Sequence, residues 1–308
     1  MIKIAITVIA ILISSIVNGQ GCSDAGVCTS GNSGNMSSDS ASIMEIKLGS
    51  TIGMGEQGVT IFQGYAGVSF QILKKLDIET KVPYQYANGN LGNNIGLGDI
   101  TANAGLYIFN KDKNRLYFSA GVRIPSGTTN EGNDKYSTLP MPYQTGLGTT
   151  DILTGINYYY QSWKISAGFQ YILNHNNENE FVRDIFSVET DASKYFTSRQ
   201  LERGNDFLFR LDKYFKQGRW TLTPGVILIY RIEGDKVIAS DNIRRKVEGS
   251  DGTTLNLTGA VNRSISKDLT ISFNFGFPLM VRDTRPDGLT RSLVTGVEIS
   301  YFINKKSK

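Results

Sequence analysis

Residues 163–173 read Trp-Lys-Ile-Ser-Ala-Gly-Phe-Gln-Tyr-Ile-Leu. Trp163, Ile165, Ala167, Phe169, Tyr171 and Leu173 alternate with Lys164, Ser166, Gly168, Gln170 and Ile172. Successive side chains of a strand point to opposite faces, so this stretch has one apolar face and one that is mostly small and polar. Residues 269–277 repeat the pattern, with Leu269, Ile271, Phe273, Phe275 and Phe277 set against Thr270, Ser272, Asn274 and Gly276.

Working outward, twelve such segments follow one another: 42–52, 59–72, 76–86, 96–109, 115–125, 147–160, 163–173, 205–215, 219–232, 253–264, 269–280 and 291–303. No helical periodicity competes with them. Most are longer than the usual globular strand of about 5–6 residues. They match the roughly 9–11 tilted residues that cross a bilayer. The connections alternate. Short ones fall at 73–75, 110–114, 161–162, 216–218 and 265–268. Long ones fall at 87–95, 126–146, 174–204, 233–252 and 281–290, with 53–58 a short exception. An even number of strands with short turns at one rim and long loops at the other is the pattern of an outer-membrane barrel. It predicts an all-β, single-chain antiparallel transmembrane barrel over 42–303, with both termini periplasmic. Aromatics cluster at both ends of the strands. Phe109, Tyr160, Trp163, Phe215, Trp220 and Tyr301 flank the short turns, and Tyr84, Tyr86, Tyr171, Tyr230, Phe275 and Phe277 lie toward the long loops. These predict two interfacial girdles. Pro83, Pro224 and Pro278 cannot donate to a ladder, and are expected at bulges or kinks.

The 308 residues are 40% hydrophobic and 19% charged, with 33 Gly, 15 Tyr, 15 Phe and a net charge of +4. No basic block is present, which argues against nucleic-acid binding. Lys3 precedes an apolar run from Ile4 to Ile16, and Gly19-Gln20 follows, so 1–19 reads as a secretory signal peptide. Residues 20–41 are small and polar and read as a periplasmic arm; 304–308 is a short basic tail. After Gln20 no apolar run approaches the about 20 residues of a membrane helix. Cys22 and Cys28 are the chain's two cysteines. A disulfide, a lipid on Cys22 and free thiols all stay open.

The phase of the strands turns fifteen charges inward, nine acids and six bases. Such a lumen favours ion-pair ladders over a single-sign selectivity ring. Asp99, Arg123 and Asp151 fall near the outer ends of consecutive strands. They either pair to hold the barrel's shape or form a constriction, and Arg210, Arg231 and Glu298 are further lumen candidates. Glycines inside strands provide either curvature or open volume. Tyr136, Tyr143, Phe181 and Phe186 on the long loops are candidates for ligand contact, or for a lid that packs on itself.

Three motifs carry a family likeness: Gly96-Leu97-Gly98-Asp99-Ile100, Ala120-Gly121-Val122-Arg123-Ile124-Pro125-Ser126-Gly127 and Gly146-Leu147-Gly148-Thr149-Thr150-Asp151. In this order they resemble the meta-pathway phenol-degradation barrels of Gram-negative outer membranes, distant relatives of hydrophobic-compound and fatty-acid channels. The resemblance implies a passive or diffusion-assisted channel. The chain is shorter than the fatty-acid transporters and lacks an obvious N-terminal hatch.

Enzyme chemistry has little support. His175 is the single His, and it opens a long loop beyond Asn174. Ser166 and Ser187 are the serines it could pair with, but no motif surrounds them. Metal-ligand spacing and a phosphate-cradling loop are both missing, and no cofactor is expected. The expected function is passive uptake of small solutes, with aromatic or hydrophobic compounds as candidates. The alternative is a closed structural or adhesive barrel that acts through its outer loops. Expected partners are the lipid bilayer, lipopolysaccharide, a small solute, and the barrel-assembly machinery through the C-terminal strand ending Tyr301-Phe302.

Overall fold

The strands appear in chain order as β1 (Ser42–Met54), β2 (Thr60–Leu73), β3 (Leu76–Gly89), β4 (Gly92–Leu97), β5 (Ile100–Lys111), β6 (Asn114–Ile124), β7 (Thr149–Tyr160), β8 (Trp163–His175), β9 (Asp206–Lys213), β10 (Phe215–Gln217), β11 (Trp220–Arg231), β12 (Lys236–Ile238), β13 (Arg244–Lys246), β14 (Gly252–Ser264), β15 (Leu269–Met280) and β16 (Leu293–Asn304). This computed structural model describes residues 42–111, 113–289 and 292–304. The expected signal peptide, the expected 20–41 arm with Cys22 and Cys28, and all of the expected basic tail but Asn304 lie outside the described residues.

Twelve strands form the wall. They run β11-β14-β15-β16-β1-β2-β3-β5-β6-β7-β8-β9, all antiparallel, and β9 pairs with β11 to close the ring. β4 extends the pairing of β3, β10 continues beside β11, and β12–β13 is a separate hairpin in the loop after β11. A closed ring leaves no strand edge in lipid, the condition a bilayer imposes on backbone hydrogen bonding. The first and last described residues lie at the rim of the short turns: Ser42 pairs with Asn304, and Met44 faces Phe70 near the β2–β3 turn.

Two connections differ from the sequence reading. The expected long loop over 87–95 is instead a hairpin, in which β3 and β4 pair as far as Gly89 and Gly92. Gly92 turns at a φ of +143°, and the turn is held from the side: Leu91 N–H donates to Tyr143 Oη, and Asn133 Nδ2 donates to Leu91 O. The expected strand 96–109 is also interrupted at Gly98-Asp99. All three prolines sit where the ladder breaks. Pro83 lies beside the β4–β5 gap and accepts Gly98 N–H, Pro278 lies at the β14–β15 bulge, and Pro224 faces the break between β9 and β10.

Polarity is inverted relative to a soluble domain. Phe62, Phe70, Leu106, Phe118, Ile156, Ile165, Phe209, Phe273, Val297 and Ile299 are exposed on the outer wall. Tyr160, Trp163, Phe215, Trp220 and Tyr301 are exposed near the short turns, and Tyr84, Tyr86, Tyr171 and Tyr230 toward the loops, as two girdles require. Phe118, midway along β6, stands between Leu106 and Ile156 in this belt. Phe118→Arg is expected to lower stability by about 2–4 kcal/mol, the cost of a midplane arginine. Urea unfolding in lipid vesicles measures it.

The inner face is polar and partly filled. A Cβ on Gly49 would lie 2.4 Å from Tyr65 Oη, and one on Gly105 would lie 1.5 Å from Tyr117 Oη. These two glycines therefore seat tyrosines rather than leave open volume. Tyr65 donates to Glu298 Oε2 at 2.7 Å and Tyr117 to Asp77 Oδ2 at 2.8 Å.

Candidate functional site: the outer lumen and its loop lid

The expected ladders of opposite charge are present. Lys47 reaches across β2 to Glu79 at 2.8 Å, and Arg210 meets Asp212 at 2.7 Å. Arg123 faces Asp151 across β6–β7, with Nη1 3.3 Å from Oδ2. Arg231 faces Asp206 across β11–β9 in a two-pronged contact, both bonds at 2.9 Å. Of the lumen candidates, Arg123 and Asp151 come together, while Arg210, Arg231 and Glu298 each hold other partners. Asp99 does something the sequence did not show. Its Oδ1 accepts Gly127 N–H at 3.2 Å and its Oδ2 accepts Leu147 N–H at 2.9 Å.

This gives the three sequence motifs a common purpose. Asp99 of the first motif clasps the last residue of the second and the second residue of the third. Ser126 adds to the clasp, donating to Gly98 O at 2.7 Å and accepting Ile100 N–H at 3.0 Å. The backbones of Gly127 and Gly146 touch, since a Cβ on Gly127 would lie 2.6 Å from Gly146 Cα. Small residues at these places let the two roots of the 125–148 loop sit side by side.

From that root the loop turns inward. Residues 138–149 are all buried, Tyr143 fully so. Tyr136, Leu139, Tyr143, Phe181 and Tyr195 form one apolar cluster with Val59, Ile61, Ala87 and Leu91 of the wall. Tyr143 and Tyr195 share a 3.0 Å hydrogen bond, and Phe186 packs on both Tyr136 and Phe181. A second cluster joins Met141 and Leu147 to Leu201, Val237 and Leu289, so segments of four loops meet over the mouth. All four loop aromatics proposed from sequence lie in this packing. His175 is exposed at the outer end of β8, and Ser166 donates instead to Asn157 Oδ1 at 2.7 Å.

Beside the lid lies a cluster of buried charge. Arg203, Arg231 and Arg282 are interleaved with Asp206, Asp235 and Asp287. Burial alone would raise the Asp287 carboxyl, but Arg282, Arg231 and Arg203 overcome that and hold it well below the ordinary carboxylate range. Only Arg231 and Asp206 of this set lie on wall strands, so the strand phase could not disclose the cluster. At its edge Arg285 Nε donates to Glu56 Oε1 at 2.9 Å.

Burial pushes the Glu56 carboxyl from 4.5 up to about 7 against the pull of Arg285. A carboxyl with a raised folded pKa favours the fold while protonated. Its contribution is complete below about 4.5 and is lost as pH rises through about 7. The heat-unfolding midpoint in detergent is expected to fall between pH 5 and 8, and Glu56→Gln to flatten that part of the profile.

Between the inner wall of β2, β3, β5 and β6 and the loop segments 141–147 and 287–289 lies a cavity of about 80 Å³. Gln63, Lys81, Gln85, Thr101 and Arg123 line its wall side, and Met141, Pro142, Leu147 and Leu289 its roof. The described residues contain no His, Cys, Asp and Glu group arranged to hold a metal ion.

The family described as "Putative MetA-pathway of phenol degradation" matches residues 60–295, most of the sequence, and the chain belongs to it. None of the curated proteins matches the chain. Among solved structures, the COG4313 outer membrane channel from Pseudomonas putida F1 shares the fold, with a TM-score of 0.56 and 13% identity over 86% of this chain and 96% of that one. The translocator domain of autotransporter NalP from Neisseria meningitidis is a more distant barrel, with a TM-score of 0.47 and 11% identity over 84% of this chain and 88% of that one. The NanC porin is similar at a TM-score of 0.46 and 7% identity, over 84% and 98%. A closed barrel with an apolar belt, two aromatic girdles and a polar lumen is a bacterial outer-membrane protein.

Proposed function

We propose that this barrel is a passive channel for small solutes, closed at the outer mouth by its own loops and opened by their movement. The observation that carries this reading is the cavity of about 80 Å³ set into the lumen directly against the loop lid. A purely structural barrel gains nothing from unfilled space behind a packed lid. Apolar side chains on the roof support aromatic or hydrophobic compounds among the solutes. The reading gives the barrel no catalytic step, and it sets the short turns and both termini in the periplasm.

The second reading is a closed structural or adhesive barrel. The observation favouring it is the packing of four loops over the mouth together with tyrosines that fill part of the inner wall. Solute flux into vesicles holding the purified protein separates the two. Entry of small sugars, amino acids or phenol-like compounds above the rate of protein-free vesicles supports the channel. No flux of any of them overturns it.

A further inference from the structure

We infer that the cavity beneath the lid is a binding site for small organic monocarboxylates, with Arg123 taking the carboxylate and the loop roof taking the apolar body. The inference rests on the channel reading and names its solute class.

The argument begins with which charges on the cavity wall are already committed. Four charged residues line it: Lys81, Asp99, Arg123 and Asp287. Asp99 spends one oxygen on each of two backbone N–H groups. Asp287 lies among Arg203, Arg231 and Arg282. Neither carboxylate repels an incoming anion with its full charge. Arg123 differs: it is buried, and neither of its terminal nitrogens has a hydrogen-bond partner among the described residues. Its ion-pair partner is Asp151, 3.3 Å from Nη1. Gln170 Nε2 holds the same Asp151 oxygen at 2.6 Å. That ion pair orients the guanidinium without consuming its donors.

A buried guanidinium with idle N–H groups is costly, and a carboxylate is the ligand whose two oxygens match its fork. The Lys81 ammonium, 3.9 Å over the Tyr65 ring, adds a second positive charge on the same wall. Facing them, Met141, Pro142, Leu147 and Leu289 offer apolar surface. A cation fork at one side and an apolar wall at the other select an anion with a compact hydrocarbon body. They disfavour a sugar, which has no charge for the fork, and an amine, which the two cations repel.

The test is calorimetric binding to the full barrel in detergent micelles, with benzoate, its neutral counterpart benzamide, and benzylammonium as probes. Benzoate is expected to bind at least tenfold more tightly than benzamide, with no binding of benzylammonium. Arg123→Gln is expected to weaken benzoate at least tenfold and to bring it level with benzamide. Arg123→Lys, which keeps the charge and loses the fork, should fall between. Migration on gels before and after heating reports whether each variant has folded. If the Arg123 variants do not fold, Lys81→Gln replaces them, with a threefold or larger weakening of benzoate expected. Equal affinity for benzoate and benzamide, no binding of either to the native barrel, or undiminished benzoate binding by a folded variant would overturn the proposal. Sugar flux in vesicles is read separately. Binding without flux removes the channel and keeps the site, whereas flux without binding removes the site and keeps the channel.

Discussion

Replacing Arg231 by Ala is expected to cost about 3–5 kcal/mol of stability, the penalty for leaving buried charge uncompensated. The residue is fully enclosed and holds three carboxylates at once. It grips Asp206 of β9 through both oxygens, Asp235 of the loop after β11 at 2.7 Å, and Asp287 of the loop after β15 at 2.8 Å. Its removal leaves three aspartates facing two arginines in a buried site. Water must then enter or the loops must lift away. The two remaining cations, Arg203 and Arg282, already contact Asp206, Asp235 and Asp287, so neither is held in reserve. The wall strands are held by their ladders and belt, so damage should concentrate at the mouth. Limited proteolysis should open the 232–251 segment at least tenfold faster than in the native barrel, while the heat-dependent gel shift of a folded barrel persists. Arg231→Lys should lie between, because an ammonium keeps the charge and loses the two-pronged grip. A proteolysis rate equal to that of the native protein would show that the cluster does not anchor the loops.

The same cluster marks the limit of what the sequence discloses. In the wall, lipid outside and polar lumen inside impose a period of two, and every strand reports its own phase. That is why Lys164, Asp206, Asp212 and Arg231 could be turned inward from sequence, and all are buried there. Loops have no such period. Asp235, Arg282 and Asp287 lie in connections that leave the barrel and return, and their meeting depends on the path of three loops. Asp99 shows the limit at one residue. Its inward phase was legible, but its partners are backbone N–H groups 28 and 48 positions on. A charge-pairing argument looks for Arg123 and cannot find an amide. The 87–95 hairpin was missed for a related reason. Its glycines read as loop, while the contacts that straighten it come from Asn133 and Tyr143 of another loop.

Deleting residues 130–144 and joining the ends with a short glycine-serine link is expected to raise solute flux by an order of magnitude or more. The ends are already side by side. Thr128 N–H donates to Thr145 Oγ1 at 2.9 Å, and Gly146 N–H donates to Thr128 O at 3.0 Å. The clasp of Asp99 on Gly127 and Leu147 lies outside the deletion, so the root should survive. What is lost is Tyr136, Leu139, Met141, Pro142, Tyr143 and Gln144, and with them the cavity's roof and the middle of both apolar clusters over the mouth. Tyr195 loses its hydrogen-bond partner, and Phe186 loses one of its two aromatic neighbours. Tyr143→Ala alone should loosen the same packing by about 3–5 kcal/mol, the scale for truncating a buried aromatic side chain. It should raise flux less than the deletion does, because the backbone of the lid stays in place. The comparison also divides the two functional readings at their physical root. Under the channel reading the block is the lid, and removing it frees a lumen that is otherwise passable. Under the closed-barrel reading the block lies deeper, among the lumen side chains below the lid, where Tyr65 and Tyr117 lie along the inner wall and bond to Glu298 and Asp77. A folded deletion variant that passes no solute would place the barrier below the lid and leave the outer loops as the working surface of the protein.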